Sequence, residues 1–301
     1  MTDTPSSAPL GPLAPLGQIK EFNPARQRVK KWLVFAVIGF ALFYTLFPVY
    51  WLFLNSFKTR LDMFAIPAIW LLDAPTLYNY VQTFVERPFL RFMFNSLVVA
   101  VGTTILALVF GTMAGFALAR FDYPGRAKYH VSFWILSTRM MPPIVTIIPL
   151  FLFFSFVNLL NTKTALVIAY TGFNLPFVIW MMKGYFQELP RELEESAMVD
   201  GDTRLGAFIR VLIPLARPGL AATAIFTLIL SWNEFLFALI ITETQTSNTL
   251  PIGIAGRITQ YKTEWGEISA AGFASCIPII IFAFIVQKHL VRGLSFGAVK
   301  G

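Results

Sequence analysis

Six long apolar stretches dominate this 301-residue sequence, and no water-soluble fold accommodates them. They run at about 32–54, 92–119, 131–157, 164–186, 215–241 and 268–290. The third is interrupted by Arg139, and the fifth carries Glu234 in its interior. Each is long enough to cross a hydrocarbon core of ~30 Å at about 1.5 Å per helical residue. Lipid offers no partner to a backbone N–H or C=O, so each stretch is expected to be helical. Composition agrees: 56% of residues are hydrophobic and 13% charged, against roughly 25% charged in a soluble domain. The expected fold is an all-α polytopic membrane protein with six transmembrane helices.

The net charge of +8 is not that of a nucleic-acid binder, because the apolar runs leave no soluble basic face. Lys and Arg follow topology instead. With the N-terminus inside, the inner segments hold sixteen of them and the outer segments seven. That excess predicts cytoplasmic N- and C-termini. Residues 1–24 contain five prolines with Ser and Gly and read as disordered. A basic cluster, Arg26, Arg28, Lys30 and Lys31, follows, so that residues 1–30 form a tail and 31–301 a membrane domain. Cys276 is alone, and His130 and His289 lack neighbours at ligand spacing, so no disulfide or metal site is expected. Gly111-x-x-x-Gly115, with Ala107, Ala114 and Ala117 nearby, allows close approach of a second helix.

The inner loop between the fourth and fifth stretches, about 187–213, is the most informative. Pro190 suits a first helical turn, and Glu192, Glu194 and Glu195 suit its positive end. Leu193, Ala197 and Met198 form an apolar stripe. Asp200-Gly201 predicts a stop, since glycine takes the left-handed cap. Asp202 or Thr203 then caps a second amphipathic helix with Leu205, Phe208, Ile209 and Leu212 on one side. Pro214 marks re-entry into the bilayer. The small residues Ser196 and Ala197 fit a knob entering a cleft on a partner; the same pattern also fits an ordinary surface helix.

Glu195-Ser196-Ala197, three residues, Gly201, nine residues, Val211, one residue, Ile213-Pro214 resembles the EAA loop of ABC-importer permeases. That family has Glu-Ala-Ala, Gly, Ile and Leu-Pro at the same spacing. Over about 30–301 the chain is similar to the MalG type of carbohydrate-importer permease. Phe121-Asp122-Tyr123-Pro124-Gly125, Met141-Pro142-Pro143, Ser231-Trp232-Asn233-Glu234-Phe235 and the ending Gly293–Gly301 carry that likeness. The resemblance implies a non-enzymatic subunit in the bacterial inner membrane, importing a sugar, polyol or glycoside. It implies a MalF-type second permease, two copies of a cytoplasmic ATPase that bind ATP and Mg²⁺, and an extracytoplasmic solute-binding protein. It implies ATPase coupling through Glu194, Glu195, Ser196, Ala197, Met198, Asp200, Gly201 and Pro214. No G-x-x-x-x-G-K-[ST] phosphate loop is present, which agrees with a separate motor and no cofactor in this chain.

A charge at the bilayer centre costs about 2.5–3.5 kcal/mol, so each intramembrane polar group needs a reason. Arg139, Asn174 and Glu234 all fall ~12–15 Å from a span's end. With Tyr170, Thr171 and Asn233 they are candidates to line a polar path for a hydroxyl-rich solute. Alternatively, Arg139 and Glu234 pair with each other or cap helices broken near Pro142, Pro143 and Pro176. Gly293-Leu294-Ser295-Phe296-Gly297 fits the hydrolase pattern G-x-S-x-G, but no His follows Ser295 and no strand precedes it. An ion-coupled secondary transporter or channel is the other alternative; it does not need the loop pattern, and no internal repeat is visible.

Overall fold

The computed structural model describes residues 24–259 and 262–296. The Pro-rich stretch 1–23 and the tail 297–301 lie outside them, as does Tyr261. The chain divides into two units, Met1–Tyr50 and Trp51–Gly301. Helix α1, Pro24–Ser56, begins in the first unit. It starts on a proline, whose fixed φ is ready for a first turn. The basic cluster expected in the tail is therefore helical. From Arg28 to Leu46 the side chains of α1 are exposed all round.

The second unit is built almost entirely of helices. Short α2 (Arg60–Met63) and α3 (Tyr78–Phe84) lead to α4 (Phe89–Arg120). Then come α5 (Ala127–Thr138), α6 (Pro143–Phe156) and α7 (Lys163–Glu188). The inner loop forms α8 (Glu192–Val199), α9 (Arg204–Ala207), a π-turn at Phe208–Leu212 and α10 (Ile213–Leu215). The chain ends with α11 (Arg217–Trp232), α12 (Leu236–Ile241), α13 (Leu250–Ala255) and α14 (Trp265–Phe296).

Among the described residues, four helices are long and apolar enough to span a membrane: Arg28–Ser56, Phe89–Arg120, Lys163–Glu188 and Trp265–Ile285. They match the first, second, fourth and sixth stretches. The third and fifth are not straight rods. The third is α5 and α6, turned by 86°. Pro142 is extended (φ −58°, ψ 132°), and Pro143 opens α6. A proline disfavours helix in the residue before it and supplies no N–H, so two in succession make a corner. Pro176, by contrast, lies inside an unbroken α7. Around the fifth stretch, Arg204–Leu215 and Arg217–Trp232 meet at 76°, and α11 stops at Asn233 before α12 resumes.

The central contact joins α4 and α7. They run in parallel: Gly102 faces Val167, Gly111 faces Val178, and Gly115 faces Met182 and Lys183. A Cβ on Gly111 would lie 2.5 Å from Val178 Cγ1, and one on Gly115 would lie 2.9 Å from the Lys183 backbone N. The small-residue motif thus does what its spacing predicted, and α7 is the partner. Helix α11 packs on α4, α7 and α14.

At the end away from the inner loop, Asn95 donates to the carbonyls of Thr246 and Asn248 at 3.1 and 2.9 Å. Glu267 forms ion pairs with both Arg87 and Arg257 at 3.4 Å. Burial and the nearby Arg87 cation pull the Arg257 guanidinium below the usual arginine range, against the attraction of Glu267 and Glu264.

Gly111→Ala is expected to destabilise the bundle by about 1–3 kcal/mol through overpacking. The measurement is the thermal midpoint of detergent-purified protein, and Val178→Ala in the same chain should recover most of the loss. An unchanged midpoint for Gly111→Ala would rule out this packing.

Candidate functional site

The inner loop hangs from the C-terminal ends of α4 and α7. Helix α8 carries Glu192, Glu194 and Glu195 in its first turn, where the free N–H groups favour acids. Its other end is a Schellman turn. Gly201 donates to the Met198 carbonyl at 3.2 Å and Asp202 to the Ala197 carbonyl at 3.0 Å. Gly201 sits at φ +94°, where a side chain is strained. Thr203 then caps α9 by accepting from the Gly206 N–H at 3.0 Å. Asp202, the other predicted cap, instead pairs with Arg210 at 2.7 Å.

The second helix of the loop differs from the even amphipathic rod that the pattern suggested. Phe208 and Leu212 are buried, but Leu205 and Ile209 are exposed. The cause is a change of winding. Pro214 has no N–H to return to the preceding turn, and its ring crowds a regular α-turn. The chain widens before it, with the Ile213 N–H donating to the Phe208 carbonyl five residues back. Phe208 is thereby turned inward, 4.5 Å from Phe116 and 5.9 Å from Phe186 between ring centres. Arg204 stacks over Phe121 at 5.3 Å. The back half of the loop is thus fastened to the ends of α4 and α7.

Among the coupling candidates, Glu195, Ser196, Asp200 and Gly201 are exposed, and Ala197, Met198 and Pro214 are half-buried. Glu194 is turned the other way. Its Oε2 lies 3.4 Å from Nε of Arg120, the last residue of α4. Arg120 Nη2 also donates to the Leu189 carbonyl at 2.8 Å. Sequence reasoning counted Arg120 only as a topology charge; no signal in the sequence distinguishes it from Arg126.

A second cluster lies between α7 and α11. Thr223, Thr227 and Ser231 form a ladder of buried hydroxyls, each donating to the carbonyl four residues back at 2.8 Å. Asn174 donates to Ser231 Oγ at 3.2 Å and to the Tyr170 carbonyl at 2.9 Å. Ser231 was quoted in the sequence only as part of a motif; its contact with Asn174 needs the fold. Glu234 accepts from the N–H groups of Phe237 and Ala238 at 2.8 and 3.3 Å, and so caps α12. It is also an electrostatic neighbour of the Tyr170 hydroxyl. Asn233 is exposed and its amide folds back onto the Ile229 carbonyl at 2.9 Å.

Arg139 closes α5 at the proline corner. Its guanidinium lies over Phe173 at 5.8 Å and Phe177 at 5.1 Å. Arg139 and Glu234 form no ion pair with each other: Arg139 stands at the break before α6 and Glu234 at the break before α12. Asn174 Oδ1, the Tyr170 hydroxyl, Thr171 Oγ1 and Arg139 Nη1 are all sealed from solvent without a hydrogen-bond partner. Among the described residues, no cluster of His, Cys, Asp and Glu could hold a metal.

The sequence matches the family described as "Binding-protein-dependent transport system inner membrane component" over residues 107–296. It is 36% identical over 271 residues to the sulfoquinovosyl glycerol transport system permease protein SmoH of Agrobacterium fabrum, covering 90% of this chain and 94% of that one. It is 36% identical over 282 residues to the trehalose transport system permease protein SugB of Mycobacterium tuberculosis, covering 91% and 99%. In fold it is similar to a chain of a bacterial ABC transporter that imports the acidic polysaccharide alginate. The TM-score is 0.74 at 22% identity, over 90% of this chain and 100% of that one.

Gly201→Val forces a branched side chain into the left-handed region and should cost the turn about 1–2 kcal/mol. Hydrogen exchange across 192–213 should speed up, with Gly201→Asn affected less. Equal protection in the three proteins would mean the turn does not depend on that conformation.

Proposed function

Because the chain belongs to the family of binding-protein-dependent transport system inner membrane components, we propose that it forms half of the transmembrane pathway of an ATP-driven sugar importer. The other half is a MalF-type permease. A homodimeric cytoplasmic ATPase binds ATP and Mg²⁺ and drives the cycle, and a solute-binding protein delivers the substrate from outside. Both termini face the cytoplasm in this reading, which the excess of Lys and Arg in the inner segments supports. The substrate class is a sugar, polyol or glycoside, in line with the transport systems for which SmoH and SugB are named.

The observation that carries this reading is the loop itself. A short acidic helix, ended by a left-handed glycine, presents Glu195, Ser196 and Gly201 to solvent while Phe208 fastens the loop beneath the bundle. Small exposed side chains allow a partner's backbone close, and a fastened base lets a push on α8 reach α4 and α7. The ATPase cleft is the occupant this projection fits. An ion-coupled transporter has no use for such a projection.

The four unpartnered buried polar atoms support a role for the α7–α11 seam in passage of the solute. A buried group without a partner costs about 1–3 kcal/mol. Asn174, Tyr170 and Thr171 carry such atoms at mid-span, and Arg139 adds its Nη1. A hydroxyl-rich solute satisfies donors and acceptors of this kind. Asn233 extends the polar surface toward the exposed side, where a second permease completes the path. Glu234 holds the break that opens it.

Cysteine at Ser196 or Ala197 should cross-link to the ATPase in native membranes, and uptake of labelled sugar should stop on ATP depletion while ion gradients persist. Capture of no ATPase, or uptake that follows the gradients, would overturn the assignment. Asn174→Ala and Glu234→Ala should each lower uptake about tenfold with the complex still assembled, the first by removing hydrogen bonds to the moving solute and the second by uncapping α12 at the break.

A further inference from the structure

We propose that Arg120 is the positioning residue that sets the attitude of α8 beneath α4 and α7, passing movement of the loop helix to the membrane helices through one buried ion contact. The proposal rests on the coupling reading of α8 given above.

Helix α8 lacks an apolar anchor of its own. None of its residues is buried; Leu193 is 38% exposed and Val199 86%. The aromatic contacts of Phe208 hold the back half of the loop, beyond the Gly201 turn. Ala197 and Met198 are half-buried; beside them, the contact that ties α8 to the ends of α4 and α7 is polar. Of the three acids in its first turn, Glu192 and Glu195 are exposed and Glu194 is turned inward. The Glu194 side chain is 13% exposed, and the Arg120 side chain facing it is 4% exposed.

One guanidinium thus joins three helix ends. Arg120 is the last residue of α4. Its Nη2 donates to the carbonyl of Leu189, the C-cap of α7, at 2.8 Å. Its Nε faces Glu194 Oε2 in α8 at 3.4 Å. Neither of those two facing atoms has a hydrogen-bond partner elsewhere, and both are shut off from solvent. The planar guanidinium holds two acceptors at once from fixed directions; an ammonium group, a point charge on a flexible stem, lacks that fixed fork. Removing either partner strands the other as a buried charge, so the contact resists separation when α8 is pushed. At 3.4 Å the ion contact is long for a hydrogen bond. A small shift of α8 toward Arg120 closes it into a bond, so the contact registers displacement of the loop.

The test is a double-mutant cycle in the assembled complex, tagged on this chain and carrying Ser196→Cys for cross-linking to the ATPase. Capture rate and MgATP hydrolysis are measured per complex recovered for R120Q, E194Q and R120Q/E194Q. Each single change should slow both readouts about tenfold, with the double change within about twofold of either single one, because the two residues act as one contact. Losses that multiply to about a hundredfold, or a single variant within about twofold of the parent, would overturn the proposal. If a glutamine variant does not accumulate, the cycle is run with R120K, which keeps the charge and loses the fork. R120K should lose about threefold, and E194Q should then add nothing beyond its own effect; multiplied losses again overturn the proposal. Failure of the parent Ser196→Cys complex to capture an ATPase removes the coupling reading itself, whereas normal capture with unaffected variants removes only the role of Arg120.

Discussion

The parallel contact of α4 and α7 depends on two side chains that are not there. At Gly111 and Gly115 the helices come close enough that a methyl group would enter Val178 or the backbone at Lys183. In lipid, where apolar surface gains little from leaving its surroundings, this kind of close van der Waals approach is what binds helices together. The remaining geometry follows from it. The two C-terminal ends lie side by side, and Phe116 and Phe186 stand 5.7 Å apart. Together they form the seat that receives Phe208, and Arg120 and Leu189 are brought within a hydrogen bond.

Where helices break inside the bundle, a charged side chain stands at each break. The corner at Pro142–Pro143 is occupied by Arg139, resting on two phenylalanine rings. The interruption after Trp232 is bridged by Glu234, whose carboxylate accepts two N–H groups of α12. Helix breaks at membrane depth are tolerated where protein or a polar path shelters them. Both breaks adjoin α7, and the sealed polar atoms at 139, 170, 171 and 174 gather along the same helix. Broken rods and polar lining therefore belong to one region of the molecule.

The loop combines a stiff base with an exposed tip. Burial of Phe208 and Leu212, and the π-turn forced by Pro214, make the base continuous with the bundle. Past the glycine turn, α8 carries no buried residue. It is held by hydrogen bonds and one ion contact and leaves its small residues free. A lever needs this division: a base that does not yield and a head that another protein can grip.

Much of this was legible in the one-dimensional pattern. Uncharged runs of span length dictated helices, because lipid leaves the backbone no other partner. The Lys and Arg count suggested an orientation, the glycine spacing announced a close contact, and Asp200-Gly201 with Thr203 marked a stop and a restart that the structure reproduces. These features rest on local chemistry, and local chemistry is written residue by residue. The 86° angle of the corner, the inward turn of Phe208, the pairing of Glu194 with Arg120 and the choice between the alternatives open for Arg139 and Glu234 were not legible. Each depends on which residues distant in the chain meet. A charge or an amide looks the same in sequence whether it faces water, a ring or an opposite charge. That choice was made when α4 and α7 packed, since only then did position 120 acquire neighbours at 189 and 194, and position 174 a neighbour at 231.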